Sequence, residues 1–188
     1  MKALHKNILE RLDQIINNTG DHIHDFINNP HAFTRKRTLD AATVLKTTIN
    51  MQGQNLNSEL FRAFGKDATK KNDKVVSTSA YVQRKSQLSP ACFKHILTVF
   101  NQNLFNIQLF DHHYRLFAID GSDFNQIWNP KSNNIVQASS HKKKPYCQIH
   151  VNALYVLLNY TYQDSIFRPK SEMDERIAAD QLLKALNC

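Results

Sequence analysis

The stretch YCQIHVNALYVLLNYTYQDSIF, residues 146–167, decides how the C-terminal half folds. It is rich in Val, Ile, Leu and Tyr, residues that suit a pleated, half-buried surface. Two readings fit it. In one, Ile149, Val151, Leu154, Val156 and Leu158 line a buried strand, and residues 160–167 form a second strand paired with it through a hinge near Asn159. In the other, one helix covers residues 149–160, whose apolar spacing is almost as compatible.

The segments on either side narrow the class. Upstream, HYRLFAIDGS (residues 113–122) contains an apolar strand expected to end on Asp120, beside one of only four glycines. A carboxylate held at a strand end is rigid, as a metal ligand must be. Two-metal phosphoryl transfer needs several carboxylates converging on cations about 4 Å apart. Gly121 would let the backbone turn sharply there and leave room for a phosphate. Asp-Gly is equally the commonest tight hairpin turn and needs no function. Downstream, SEMDERIAADQLLKALN (residues 171–187) reads as an amphipathic helix. Ser171 is its expected cap, Glu172, Asp174 and Glu175 sit near its positive end, and Ile177, Leu182, Leu183 and Leu186 form its buried side.

Residues 1–110 carry helical spacing almost throughout. Leu4, Ile8, Leu12, Ile15 and Ile16 make one stripe, and Asp21 is placed to cap a short helix bearing Ile23, Phe26 and Ile27. Leu39, Ala42, Leu45 and Ile49 make another stripe. Asn55 or Asn57 caps a helix with Leu56, Leu60, Phe61 and Phe64, which Gly65 ends. Ser77 or Thr78 opens the next, and Ser89-Pro90 is a strong start signal for the one after. The expected organisation is α+β: a helical domain over residues 1–110 and a strand-containing domain over 111–188.

The chain has 188 residues, 41% of them hydrophobic and 21% charged, which argues against general disorder. No apolar run approaches the roughly 18–20 residues that span a bilayer, so no membrane partner is expected. Three separated cysteines, Cys92, Cys147 and Cys188, lack any Cys-x-x-Cys pair. They suggest reduced thiols in a cytoplasmic protein, with no zinc site. Four glycines leave no room for a glycine-rich phosphate loop, and Ser122 lacks a nucleophile-elbow context.

Charge is distributed unevenly. Residues 1–110 hold 15 basic and 8 acidic side chains, a balance of +7, whereas 111–188 hold 9 and 8, a balance of +1. A basic helical part suits a polyanion such as DNA. Candidate DNA contacts are Arg35, Lys36 and Arg37 ahead of a helix, and Gln83, Arg84 and Lys85 on a helix whose order after residues 55–64 permits a helix-turn-helix-like arrangement. Lys70, Lys71 and Lys74 lie in the loop between those helices. Lys142, Lys143 and Lys144 form a basic loop before the ambiguous stretch, suited to a DNA backbone. Each cluster is also what a solvated surface looks like. Of nine histidines, His22, His24, His112 and His113 lack metal-ligand spacing, and His150 reads as a satisfied core histidine. Trp128 is expected to anchor a loop by packing.

Together, AIDGSDFN (118–125), QIHVNALYVLLNYTYQDSI (148–166) and MDERIAADQLLKAL (173–186) resemble the start of the catalytic domain of DDE transposases of the insertion-sequence-four family. FTRKRTLDAATVLKTTINMQGQNLNSEL (33–60) and VSTSAYVQRKSQLSPACF (76–93) resemble the helical segment preceding that domain. The similarity spans roughly residues 30–187. It implies the first strands and helix of a ribonuclease H-like α/β domain, with Asp120 as first acid of an Asp-Asp-Glu triad and a ligand of Mg²⁺ or Mn²⁺. It also implies cleavage and transfer of double-stranded DNA at transposon ends, a homodimer, and a cytoplasmic, nucleoid-associated protein. In that family the second Asp follows the helix and the Glu comes much later, and the sequence stops at Cys188 before either. The expectation is therefore a catalytically incomplete piece or remnant, or a non-catalytic DNA-binding or regulatory derivative. Val156 departs from the Asp that the resemblance implies after the tyrosine of its His-x-Asn-Ala-x-Tyr-like strand, here Tyr155.

Overall fold

Antiparallel pairing across a turn settles residues 146–167 as two strands rather than a helix. In the computed structural model, which describes residues 2–35, 38–65, 76–102, 108–137 and 144–186, Tyr146–Val156 and Thr161–Pro169 are extended and hydrogen-bonded to each other. The chain divides into two units, residues 1–103 and 104–188.

The first unit is helical. Helix α1 (Lys2–Asp21) is followed by a short 3-10 turn (Ile23–Phe26), then α2 (Ala41–Ile49), α3 (Leu56–Phe64), α4 (Thr78–Lys85) and α5 (Ala91–Gln102). The starts of α2, α3 and α4 are each closed by a side-chain oxygen accepting a backbone N–H. Asp40 accepts from Thr43, Asn55 from Ser58 and Ser77 from Ala80. These bonds satisfy donors that the first helical turn leaves open. The core gathers Ile16, Leu39, Val44, Leu45, Leu60, Tyr81, Leu88, Cys92 and Ile96. Two expected stripes are corrected. Ile8 stands exposed on α1, and Phe61 on α3 points outward while Glu59 is buried in its place. Glu59 sits inside because its carboxylate accepts from the backbone N–H of Gln52 and Gln54 and from Arg62. A buried carboxylate is tolerable only with such partners.

The second unit is an antiparallel sheet carrying one helix. Strand β1 (Phe117–Gln126) pairs along its whole length with β3 (Tyr146–Val156). On the other edge of β3 lie β4 (Thr161–Pro169), against Ile149–Val156, and the two-residue β2 (Ile135–Val136), against Tyr146 and Cys147. Residues 157–160 turn β3 into β4, with Tyr160 at φ +54°.

The final helix, α6 (Glu175–Lys184), packs on β1, β3 and β4. Its cap is Asp174, accepting from Ile177 N at 3.0 Å, and not Ser171, which belongs to a separate 3-10 turn over Lys170–Glu172. Ala178 and Leu182 are inside, so of the expected buried side Leu182 stands, while Ile177 and Leu183 are exposed. The same covering decides which face of β3 is buried. His150, Asn152, Leu154 and Val156 are inside, and Ile149 and Val151 are only half-buried. Among the described residues, no helix is long and apolar enough to cross a membrane.

Candidate functional site

Asp120 lies within β1, paired with Ala153, and the strand runs on through Ser122–Gln126 against Val151–Cys147. The expectation of a strand ending on Asp120 is overturned, and so is the turn. Six further residues of β1 keep their ladder to β3, so Asp-Gly never has to reverse the chain. Asp120 is exposed, and its Oδ1 accepts from the N–H of Gly121 at 2.9 Å. Side chains alternate along a strand, which sends Asp120 to the side opposite Gly121 and Asp123. Its cross-strand neighbours there are Ala153 and then Ser165. Among the described residues no group of three His, Cys, Asp or Glu is placed to hold a metal ion.

On the side facing α6 the register assembles charged groups that sequence reasoning did not join. Asp123 pairs across the ladder with His150. Its Oδ1 accepts from His150 Nδ1 at 2.6 Å, and its Oδ2 meets Lys170 Nζ at 2.7 Å. The Lys170 ammonium, and after it the His150 ring, hold the Asp123 carboxyl below the usual carboxylate range. On the far side of the ring, His150 Nε2 has no hydrogen-bond partner, and Glu175 Oε1 lies 4.0 Å away at the start of α6.

Gly121 makes room for this ring. A Cβ there would come within 2.5 Å of His150 Nε2 and 3.1 Å of Glu175 Oε1. The role expected of Gly121, a sharp backbone turn, is thus replaced by a close approach of side chains. Beside it Asn152, 1% exposed, leaves both amide atoms without partners. A cleft of about 210 Å³ opens here, walled by Ile119, Gly121, Asn152, Glu175, Arg176 and Ala179, with Asp120 also on its lining. His150 is therefore buried as expected but satisfied on one nitrogen only. Its burial was legible in the apolar run. Its pairing with Asp123, 27 residues away, depends on the β1–β3 register and leaves no local signal.

Arg35, Gln83 and Lys85 are exposed. Arg84 is half-buried, its guanidinium 4.6 Å above the Phe33 ring and donating to Gln87 Oε1 at 3.1 Å. Such stacking fixes the head group while leaving it charged. Lys144 is exposed just before β3. Lys36, Arg37, Lys70, Lys71, Lys74, Lys142 and Lys143 lie outside the described residues. Trp128 is half exposed.

A larger hollow of about 420 Å³ in the helical unit is lined by Lys46, Glu59 and Arg62 among others. Its charges serve one another: Lys46 pairs with Asp13 at 3.1 Å, and Arg62 with Glu59 at 2.6 Å. No protein-family model, no curated protein and no solved structure matches the chain.

Proposed function

We propose that the chain is a DNA-binding part of a DDE-type transposase, its helical unit engaging double-stranded DNA and its sheet carrying the first catalytic acid. The observation that carries this reading is the order of elements around Asp120. An acid-bearing strand, a hairpin and a helix follow one another in the second unit, as the motif resemblance implies for the opening of a ribonuclease H-like domain. The basic excess in the N-terminal part and the exposed Arg35, Gln83 and Lys85 agree with it.

The residues present do not by themselves fit the implied Mg²⁺ or Mn²⁺ pair. Among the described residues Asp120 stands alone on its sheet face, and one carboxylate does not hold two cations. No chemical step is therefore assigned to this chain. That isolation favours a second reading, a non-catalytic DNA-binding or regulatory protein derived from a transposase.

A gel-shift titration of a random-sequence 30-base-pair duplex against salt tests both. Binding should weaken steeply with salt, and Arg35→Ala and Lys85→Ala should each lower the logarithmic slope by about 1. Absence of binding at low salt, or binding indifferent to salt, refutes both readings. In a longer chain that supplies the two missing acids, Mg²⁺-dependent nicking abolished by Asp120→Ala, with duplex binding intact, selects the catalytic reading, and nicking retained in Asp120→Ala refutes the role given to Asp120. Binding without nicking in that longer chain selects the regulatory one.

A further inference from the structure

We propose that His150 Nε2 and Glu175 form a site for a divalent transition cation of the zinc class, separate from Asp120. Three observations converge on the gap between these two groups.

The first is the state of the ring. Asp123 Oδ1 is a carboxylate acceptor 2.6 Å from His150 Nδ1, so Nδ1 carries the hydrogen. Nε2 is then the ring nitrogen left open to a ligand. A carboxylate behind an imidazole is the arrangement that orients metal-binding histidines and raises their basicity. Lys170, on the other Asp123 oxygen at 2.7 Å, keeps that carboxylate in place.

The second is what Nε2 faces. It is buried in a side chain only 3% exposed, has no hydrogen-bond partner, and points toward Glu175 Oε1 at 4.0 Å. A cation held between these two atoms, whether a proton on the ring or a metal ion, would be shared by both. Ligands to tetrahedral Zn²⁺, at about 2.0–2.2 Å from the metal, stand roughly 3.4 Å apart. The Glu175 side chain, 64% exposed, has the freedom to close that difference.

The third is space and a further donor. Residue 121 is glycine, and a Cβ there would intrude on both Nε2 and Oε1. Asn152, nine-tenths buried and more, lines the adjoining cleft with Oδ1 unpartnered, so it offers a third, neutral oxygen. Imidazole with carboxylate and carboxamide oxygen suits Zn²⁺, Co²⁺ or Mn²⁺ rather than a thiolate-seeking ion. The open side of the cleft leaves remaining positions to water. Arg176, also on its lining, is the competing cation.

The test uses the whole chain. Co²⁺ is added to ¹⁵N-labelled protein, and paramagnetic shifts and broadening are mapped by residue. Zn²⁺ affinity is measured by calorimetry. Effects should centre on Gly121, His150, Asn152 and Glu175, with Zn²⁺ displacing Co²⁺. Glu175→Gln, an exposed isosteric change that leaves the fold intact by circular dichroism, should weaken binding at least about 10-fold. Asp120→Asn should leave it unchanged, which separates this site from the acid of the proposed transposase reading. Effects confined to other histidines, an unaltered affinity in Glu175→Gln, or loss of binding in Asp120→Asn would each overturn the proposal.

Discussion

Replacing Gly121 with alanine sets two effects of opposite sign against each other. Alanine in a strand interior is favoured over glycine by about 0.5–1 kcal/mol, because glycine loses more backbone freedom on folding. Against that, the new Cβ would stand 2.5 Å from His150 Nε2 and 2.8 Å from Cε1. Relaxed contacts of this kind lie near 3.5 Å, so the ring must withdraw by roughly 1 Å. It has little freedom to do so, since it is buried and held at Nδ1 by Asp123 at 2.6 Å. Overpacking of this kind costs about 1–3 kcal/mol. The balance is a net loss of about 1 kcal/mol. For a folding unit of this size that corresponds to a fall in Tm of about 4–8 °C. Thermal unfolding of the intact chain, followed through the fluorescence of Trp128, the single tryptophan and a residue of the second unit, reads it directly. A Tm equal to or above that of the unaltered chain would refute the reasoning, because it would mean the ring moves freely and glycine is not required there.

Three further outcomes test the helical unit. The Tyr81 hydroxyl lies 2.6 Å from Thr48 Oγ1, which itself donates to the Val44 carbonyl, so Tyr81 is the donor. Tyr81→Phe should cost about 1 kcal/mol in urea unfolding, and an unchanged midpoint would show that the bond contributes nothing. Burial pushes the Cys92 thiol up to about 11. On the order of 0.1% is then thiolate at pH 8, so peptide mapping should find Cys92 unlabelled by iodoacetamide until denaturant is added, and rapid native labelling would contradict its burial. The Glu59 carboxyl is held low, first by the Gln54 backbone N–H and then, against the opposing effect of burial, by Gln52 and Arg62. Its contribution is complete above the ordinary carboxylate range and disappears as pH falls through its depressed value. Glu59→Gln should therefore flatten the acid limb of the stability curve, and an unchanged limb would remove Glu59 as its source.

Local chemistry was legible without coordinates. Asn55, Ser77 and the Ser89-Pro90 pair mark helix starts because their preferences act within one turn of backbone. The hairpin near Asn159 was legible as one of two readings, since β-rich composition and helical spacing overlap there. The face of β3 that is buried was not. Ile149 and Val151 are the more apolar residues, yet His150 and Asn152 are covered, because α6 crosses the other side of the sheet. That choice is made by packing between segments far apart in sequence.

Asp120 and Gly121 show the same division. By themselves they determine that an acid and a residue without a side chain fall side by side in an apolar run. Only the ladder to β3 decides that the strand continues, since ten paired residues outweigh the turn preference of two. Only the alternation of the pleat, with α6 laid on one face, decides that Gly121 joins Asp123, His150 and Glu175 while Asp120 faces away from them. Composition and short-range spacing determined where this chain is helical and where it is basic. Tertiary register decided which of those residues meet, because the distances that matter are set across strands and not along the chain.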